Sequence, residues 1–140
     1  TIKSKIMKKL FLFTLLLCSF LGFSQEKNYQ LSSHILDITT GKGATGVEVV
    51  LSKYNVSKDI WTVISKEKTD ENGRIKNFLP YGEKNQGIFK LTFQTKPYFT
   101  AQNKDTFYPF VEVSFEILDE QHYHVPITLT PYGYSTYRGN

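Results

Sequence analysis

Between Gly87 and Thr95 (GIFKLTFQT) apolar and polar residues alternate without a break, Phe89, Leu91 and Phe93 against Lys90, Thr92 and Gln94. Successive side chains of a strand point to opposite faces, so this stretch reads as a half-buried β-strand. The same period recurs in Val47–Tyr54, Phe110–Leu118 and Tyr123–Thr130; Leu31–Ile38 and Trp61–Lys68 also read as strands, and a shorter run from Arg74 to Leu79 is halted near Pro80. Between the runs lie turn formers: the glycine-bearing Thr39–Gly46, and Thr69–Gly73 (TDENG), which ends on the glycine a hairpin wants. No run carries a long 3.6-residue period. Only Pro97–Gln102 reads as a helical turn, with proline at the tolerated first position. Seven or so short strands, one short helix, no linker and no internal repeat imply one all-β domain. The architecture expected is an antiparallel β-sandwich, Ig-like in having two sheets. Aromatic residues at 15% suit packing on pleated surfaces.

The N-terminal segment is different. Met7-Lys8-Lys9 is followed by the apolar run Leu10–Leu17 and the softer Ser19–Gln25. This is the order of an export signal, and the run is too short to span a bilayer comfortably. Residues 1–25 are therefore expected to be a signal peptide cleaved near Gln25, with 1–6 as an extension upstream of the initiator Met7, and 26–140 as the mature domain. The destination expected is the periplasm, with the membrane met only during export. Lipid attachment at Cys18, the single cysteine, is the lesser alternative, because bulky Leu17 precedes it. Without Cys18 the domain has no disulfide, no thiol nucleophile and no thiolate zinc site. The net charge of +4 also belongs to the leader. Four of the 17 Lys and Arg precede residue 26 and none of the 13 Asp and Glu does, so the rest is balanced and a nucleic-acid partner is not expected.

Four features could carry chemistry, and each has a plainer reading. His34, in the first strand, could simply be hydrogen-bonded there. Arg74, just after the turn, could be a solvated surface charge. His124 opposes the apolar set Val125, Ile127 and Leu129, so it does not fill the core, and His122 shares its parity. A His-x-His pair on one strand face is also a metal-ligand pattern, but no third ligand stands at a supporting spacing, so no metal is expected. Tyr137-Arg138-Gly139 closes the chain with a phenol and a planar fork of donors, a set that suits a small, flat, polar heterocycle. No serine elbow, P-loop or paired zinc spacing is present. Any hydrolysis here would use water as nucleophile and histidine as base.

Leu31-Ser32-Ser33-His34-Ile35-Leu36-Asp37, Gly46-Val47-Glu48-Val49, Thr69-Asp70-Glu71-Asn72-Gly73-Arg74, Phe107-Tyr108-Pro109, His122-Tyr123-His124-Val125-Pro126 and Ser135-Thr136-Tyr137-Arg138-Gly139 stand in one order. In that order they resemble the 5-hydroxyisourate hydrolases, the enzymatic branch of the transthyretin-like proteins. The resemblance covers the whole domain from Leu31 on. It implies a transthyretin-like sandwich, a homotetramer with active sites between subunits, and opening of 5-hydroxyisourate to 2-oxo-4-hydroxy-4-carboxy-5-ureidoimidazoline in urate breakdown. It implies no cofactor. Residue by residue it implies His34, Arg74 and His124 as catalytic groups, and His34, Arg74, Tyr137, Arg138 and Gly139 as the substrate-binding set. Asn140 stands where that family ends its tail on serine, and retained activity with altered affinity or rate is the expectation. The rival readings are a non-catalytic transthyretin-like carrier, whose vertebrate members lack this histidine, arginine and tail set, and a generic exported sandwich module.

Overall fold

A computed structural model of the chain describes residues 1–9, 29–82 and 85–140. The apolar run, Cys18 and the expected cleavage position lie outside the described residues. A helix, α1, occupies residues 2–9. The strands are β1 (Tyr29–Asp37), β2 (Lys42–Gly43), β3 (Glu48–Asn55), β4 (Ile60–Lys68), β5 (Arg74–Pro80), β6 (Gly87–Phe93), β7 (Val111–Ile117), β8 (Tyr123–Thr130) and β9 (Gly133–Thr136), with α2 (Thr95–Thr100) between β6 and β7. Among the described residues no helix is long and apolar enough to cross a membrane.

The strands form two sheets. One runs β2-β1-β8-β9, with β5 also on β1; the other runs β4-β3-β6-β7. Pairing is antiparallel throughout except between β1 and β8, which run parallel with Ser32 opposite His124 and His34 opposite Pro126. The alternation in the sequence is what joins the sheets. Leu31, Ile35, Val125, Ile127 and Leu129 of one face Val49, Leu51, Phe89, Leu91, Phe93 and Val111 of the other, all buried in a single core. Full burial of each such side chain contributes roughly 1.5–3 kcal/mol.

Three departures from pattern have local causes. The helix begins at Thr95, not Pro97, leaving Pro97 within the first turn, where its missing N–H is no loss. It is pinned by fully buried Phe99 and by the Tyr98 hydroxyl, which donates to Asp37 Oδ2 at 2.7 Å. Burial, then the Asp37 carboxylate, pushes the Tyr98 phenol up to about 12. β2 exists because Asp37 folds the chain back, its side chain accepting from Thr39 N and its carbonyl from Gly41 N. β9 carries no alternation to announce it; the tight turn at Thr130–Gly133 lays it on β8.

The turn before β5 is pressed onto the β1–β2 junction. Gly73 takes φ +74°, and a Cβ there would lie 2.6 Å from Ile35 O; a Cβ on Gly43 would lie 2.0 Å from Asn72 O. Asp70 Oδ1 accepts from both Arg74 N and Asn72 N at 2.9 Å. Arg74 N–H above all, helped by Asn72 N–H and the Lys76 and Arg74 charges, holds its carboxyl below the usual carboxylate range against the opposing effect of desolvation. The turn is thus fixed at the point where it delivers Arg74 to the sheet.

Candidate active site

The outer face of the five-stranded sheet gathers the residues singled out above. Arg74 of β5 pairs with His34 of β1, which pairs with Pro126 of β8; one row along, Ser32 pairs with His124. Partners directly opposite share a face, so Arg74, His34, Ser32 and His124 all point away from the core. Pro126 sits in an interior strand, where proline normally costs a ladder bond. The carbonyls of His124 and Pro126 both point towards the tail, accepting Gly139 N and Thr136 Oγ1 at 2.9 Å. The missing N–H therefore falls on the β9 side. There β9 ends at Thr136, and the next backbone pairing with β8 is the isolated His124–Gly139 bridge.

Histidine environments differ. His34 Nε2 lies 3.1 Å from Asn72 O, so it carries the hydrogen and donates to that carbonyl. Burial, then the adjacent Arg74 charge, lowers its pKa from the ordinary 6.5, outweighing the Asn72 carbonyl and Asp70. His34 is accordingly neutral at pH 7. His122 and His124 are instead bridged by one hydroxyl: Ser32 Oγ stands 2.8 Å from His122 Nε2 and 2.8 Å from His124 Nδ1. His122 Nδ1 in turn lies 2.9 Å from Tyr29 O.

A cavity of about 210 Å³ opens over this network, lined by Ser32, Ser33, Arg74, Ile75, Lys76, His122, His124 and Asn140. A second, of about 430 Å³, shares His122 and Asn140 and adds Gln121, Arg138 and Gly139. Gly139 lies on the His124 ring; a Cβ there would stand 2.4 Å from Cδ2. The tail closes the site with a residue that has no side chain because the imidazole occupies the space.

Of the residues expected from sequence, Arg74 and His124 share the first cavity, and Arg138 and Gly139 line the second. His34 is Arg74's strand partner but lines neither cavity. The Arg138 guanidinium lies 4.7 Å above the Tyr123 ring, a cation–π contact on the His122 side. Tyr137 is 58% exposed and lines neither cavity within one chain. Sequence reasoning passed over Ser32 and Lys76. For Ser32 a signal was available, since it stands two residues before His34 and so shares its face. Among the described residues no group of three His, Cys, Asp or Glu side chains is disposed to hold a metal ion.

The sequence profile of the HIUase/Transthyretin family matches residues 31–139. The chain belongs to this family. It is 47% identical over 111 residues to a probable 5-hydroxyisourate hydrolase of Caenorhabditis elegans, covering 79% of this chain and 81% of that one. Among solved structures it is similar to the 5-hydroxyisourate hydrolase of Klebsiella pneumoniae, at TM-score 0.66 and 33% identity over 79% of this chain and 92% of that one. It is also similar to sea bream transthyretin solved with thyroxine, at TM-score 0.74 and 29% identity over 79% and 94%. The HIUase/Transthyretin family thus includes a hydrolase and a thyroxine-bound protein on one sandwich. Backbone similarity alone does not separate them.

Proposed function

We propose that this chain hydrolyses 5-hydroxyisourate to 2-oxo-4-hydroxy-4-carboxy-5-ureidoimidazoline, a step of urate breakdown, with His124 as general base. The observation that carries this reading is that His124 and Arg74 line one cavity. His124 Nε2 takes a proton from water as its oxygen bonds to a ring carbonyl carbon, help worth ~10²–10⁴-fold. Arg74 donates to the oxygen on which negative charge develops. Collapse breaks the ring C–N bond, and the leaving nitrogen takes the proton back from His124. Carboxyl and ureido groups result, and atoms and charge balance with one water consumed.

His34, donating to Asn72 O and paired across the strands with Arg74, binds substrate beside it. Tyr137, Arg138 and Gly139 complete the substrate-binding set, with Tyr137 brought in at a seam between subunits of a homotetramer. The outward orientation of the whole set supports that assembly. The protein acts after export to the periplasm, a reading supported by the order of charge and apolarity in residues 7–25.

The test is the ultraviolet decay of freshly made 5-hydroxyisourate with the purified chain. Acceleration is expected, with kcat reduced roughly 10²-fold or more in His124→Asn. A chain that binds the compound without hastening its decay is a carrier, and this reading then fails. Sedimentation at the assay concentration tests the tetramer.

A further inference from the structure

We infer that Ser32 and His122 are positioning residues that hold His124 in the Nδ1–H tautomer, so that its Nε2 keeps the lone pair which accepts the proton of water. The inference rests on the reading of His124 as the base and adds how that base is prepared.

The argument runs outward from a backbone carbonyl. Tyr29 O can only accept, so His122 Nδ1, at 2.9 Å, carries a hydrogen and donates it. A neutral imidazole has one N–H, so His122 Nε2 is an acceptor. At 2.8 Å from it stands the Ser32 hydroxyl, whose single hydrogen goes there. With its hydrogen committed, Ser32 Oγ can only accept from the nitrogen on its other side, His124 Nδ1 at 2.8 Å. Hence His124 carries a hydrogen on Nδ1, and in the neutral ring its lone pair is on Nε2. Running the chain in reverse requires a second hydrogen on His122, making it an imidazolium, and puts N–H on the nitrogen that must accept the proton.

The main chain builds this order. Parallel pairing of β1 with β8 sets Ser32 opposite His124. His122 has the same parity one step earlier, and Tyr29 begins β1 beside it. When Nε2 becomes protonated, Nδ1–H already points at an acceptor, so the imidazolium forms without reorientation and polarises a chain of bonds in place. The same logic governs the orienting acid of Ser-His-Asp triads, where the wrong tautomer leaves geometry intact and removes most of the rate.

The experiment uses the full chain labelled with ¹⁵N at its 3 histidines. Imidazole nitrogen shifts distinguish N–H from lone-pair nitrogen, and single His→Asn variants assign the rings. The expected result is Nδ1–H on His124 and on His122, and Nε2–H on His34. In Ser32→Ala, His124 loses its single tautomer and kcat falls about tenfold or more with KM within about twofold, Ser32→Thr restoring both. His122→Ala gives the same signature more weakly. Nε2–H on His124 in the parent chain overturns the inference, as does a Ser32→Ala enzyme with parental kcat. A chain inert towards 5-hydroxyisourate that still shows Nδ1–H on His124, lost in Ser32→Ala, refutes the hydrolase reading and supports the tautomer assignment.

Discussion

Gly139→Ala is the sharpest single perturbation of this site. The glycine does not sit at positive φ, so alanine strains no backbone there; the effect is steric. The added methyl would stand 2.4 Å from His124 Cδ2, with Cγ at 3.2 Å and Cβ at 3.3 Å, whereas ordinary contact begins at 3.4 Å. The ring must retreat by about 1 Å, and its 2.8 Å bond to Ser32 Oγ does not survive that. Misplacement of a catalytic group by ~1 Å costs on the order of 10²-fold in rate. The expectation is therefore a kcat about 10²-fold lower in the 5-hydroxyisourate decay assay, with KM changed much less. Stability should fall by only ~1 kcal/mol, read as a lower urea midpoint at unchanged slope, because the tail and ring can yield together. The one escape is for the tail to peel off β8 and leave the ring alone. That outcome is visible, since the bond from Gly139 N–H to His124 O breaks and the amide exchanges fast. Parental kcat with the Gly139 amide still protected refutes the reasoning.

Three other outcomes are expected. Thr69 is buried, donating to Ala44 O at 2.6 Å and accepting from Val47 N at 2.9 Å; Thr69→Val leaves both unpaired and lowers the unfolding free energy by about 1–3 kcal/mol in urea titration. The lowered pKa of His34 means the folded chain binds that proton less tightly than the unfolded one. Its contribution to stability is therefore lost as pH falls through 6.5, and Arg74→Met, by removing the second of the two causes, moves the NMR titration of His34 to higher pH. For Tyr98, at about 12, the folded chain keeps a proton that the unfolded chain releases near its ordinary 10.0. Its contribution to stability is constant well below pH 10 and declines above it, and Tyr98→Phe makes the alkaline slope shallower in urea midpoints measured from pH 9 to 12.

Alternation carried most of the fold. Every run read as a strand became one, with ends displaced by a residue or two; period 2 with one buried face accounts for all but Ile60–Lys68, which has no buried residue and is held by its pairing with β3. What alternation could not convey was partnership. The parallel pairing of β1 with β8 joins segments some ninety residues apart, and it is this register that sets Ser32 against His124. β9 was invisible for another reason: Gly133–Thr136 buries almost nothing and owes its place to a turn and to the proline that ends it.

The site divides along the same line. Parity put His124 on the outer face of its strand, and the β1–β8 register puts His34 on the same face, so that the two look equivalent. They are not equivalent, and the difference lies in backbone carbonyls that no side-chain pattern records. Asn72 O, thrust forward where Gly43 and Gly73 let two backbones touch, takes the Nε2 hydrogen of His34. Tyr29 O, three bonds away along a hydroxyl and a second imidazole, takes the corresponding hydrogen from the chain that ends at His124. One histidine is thereby committed through Nε2 and the other through Nδ1. Two residues of one type on one face thus acquire opposite orientations of donor and acceptor, and of the two only the ring tied through Nδ1 lines the cavity that Arg74 shares.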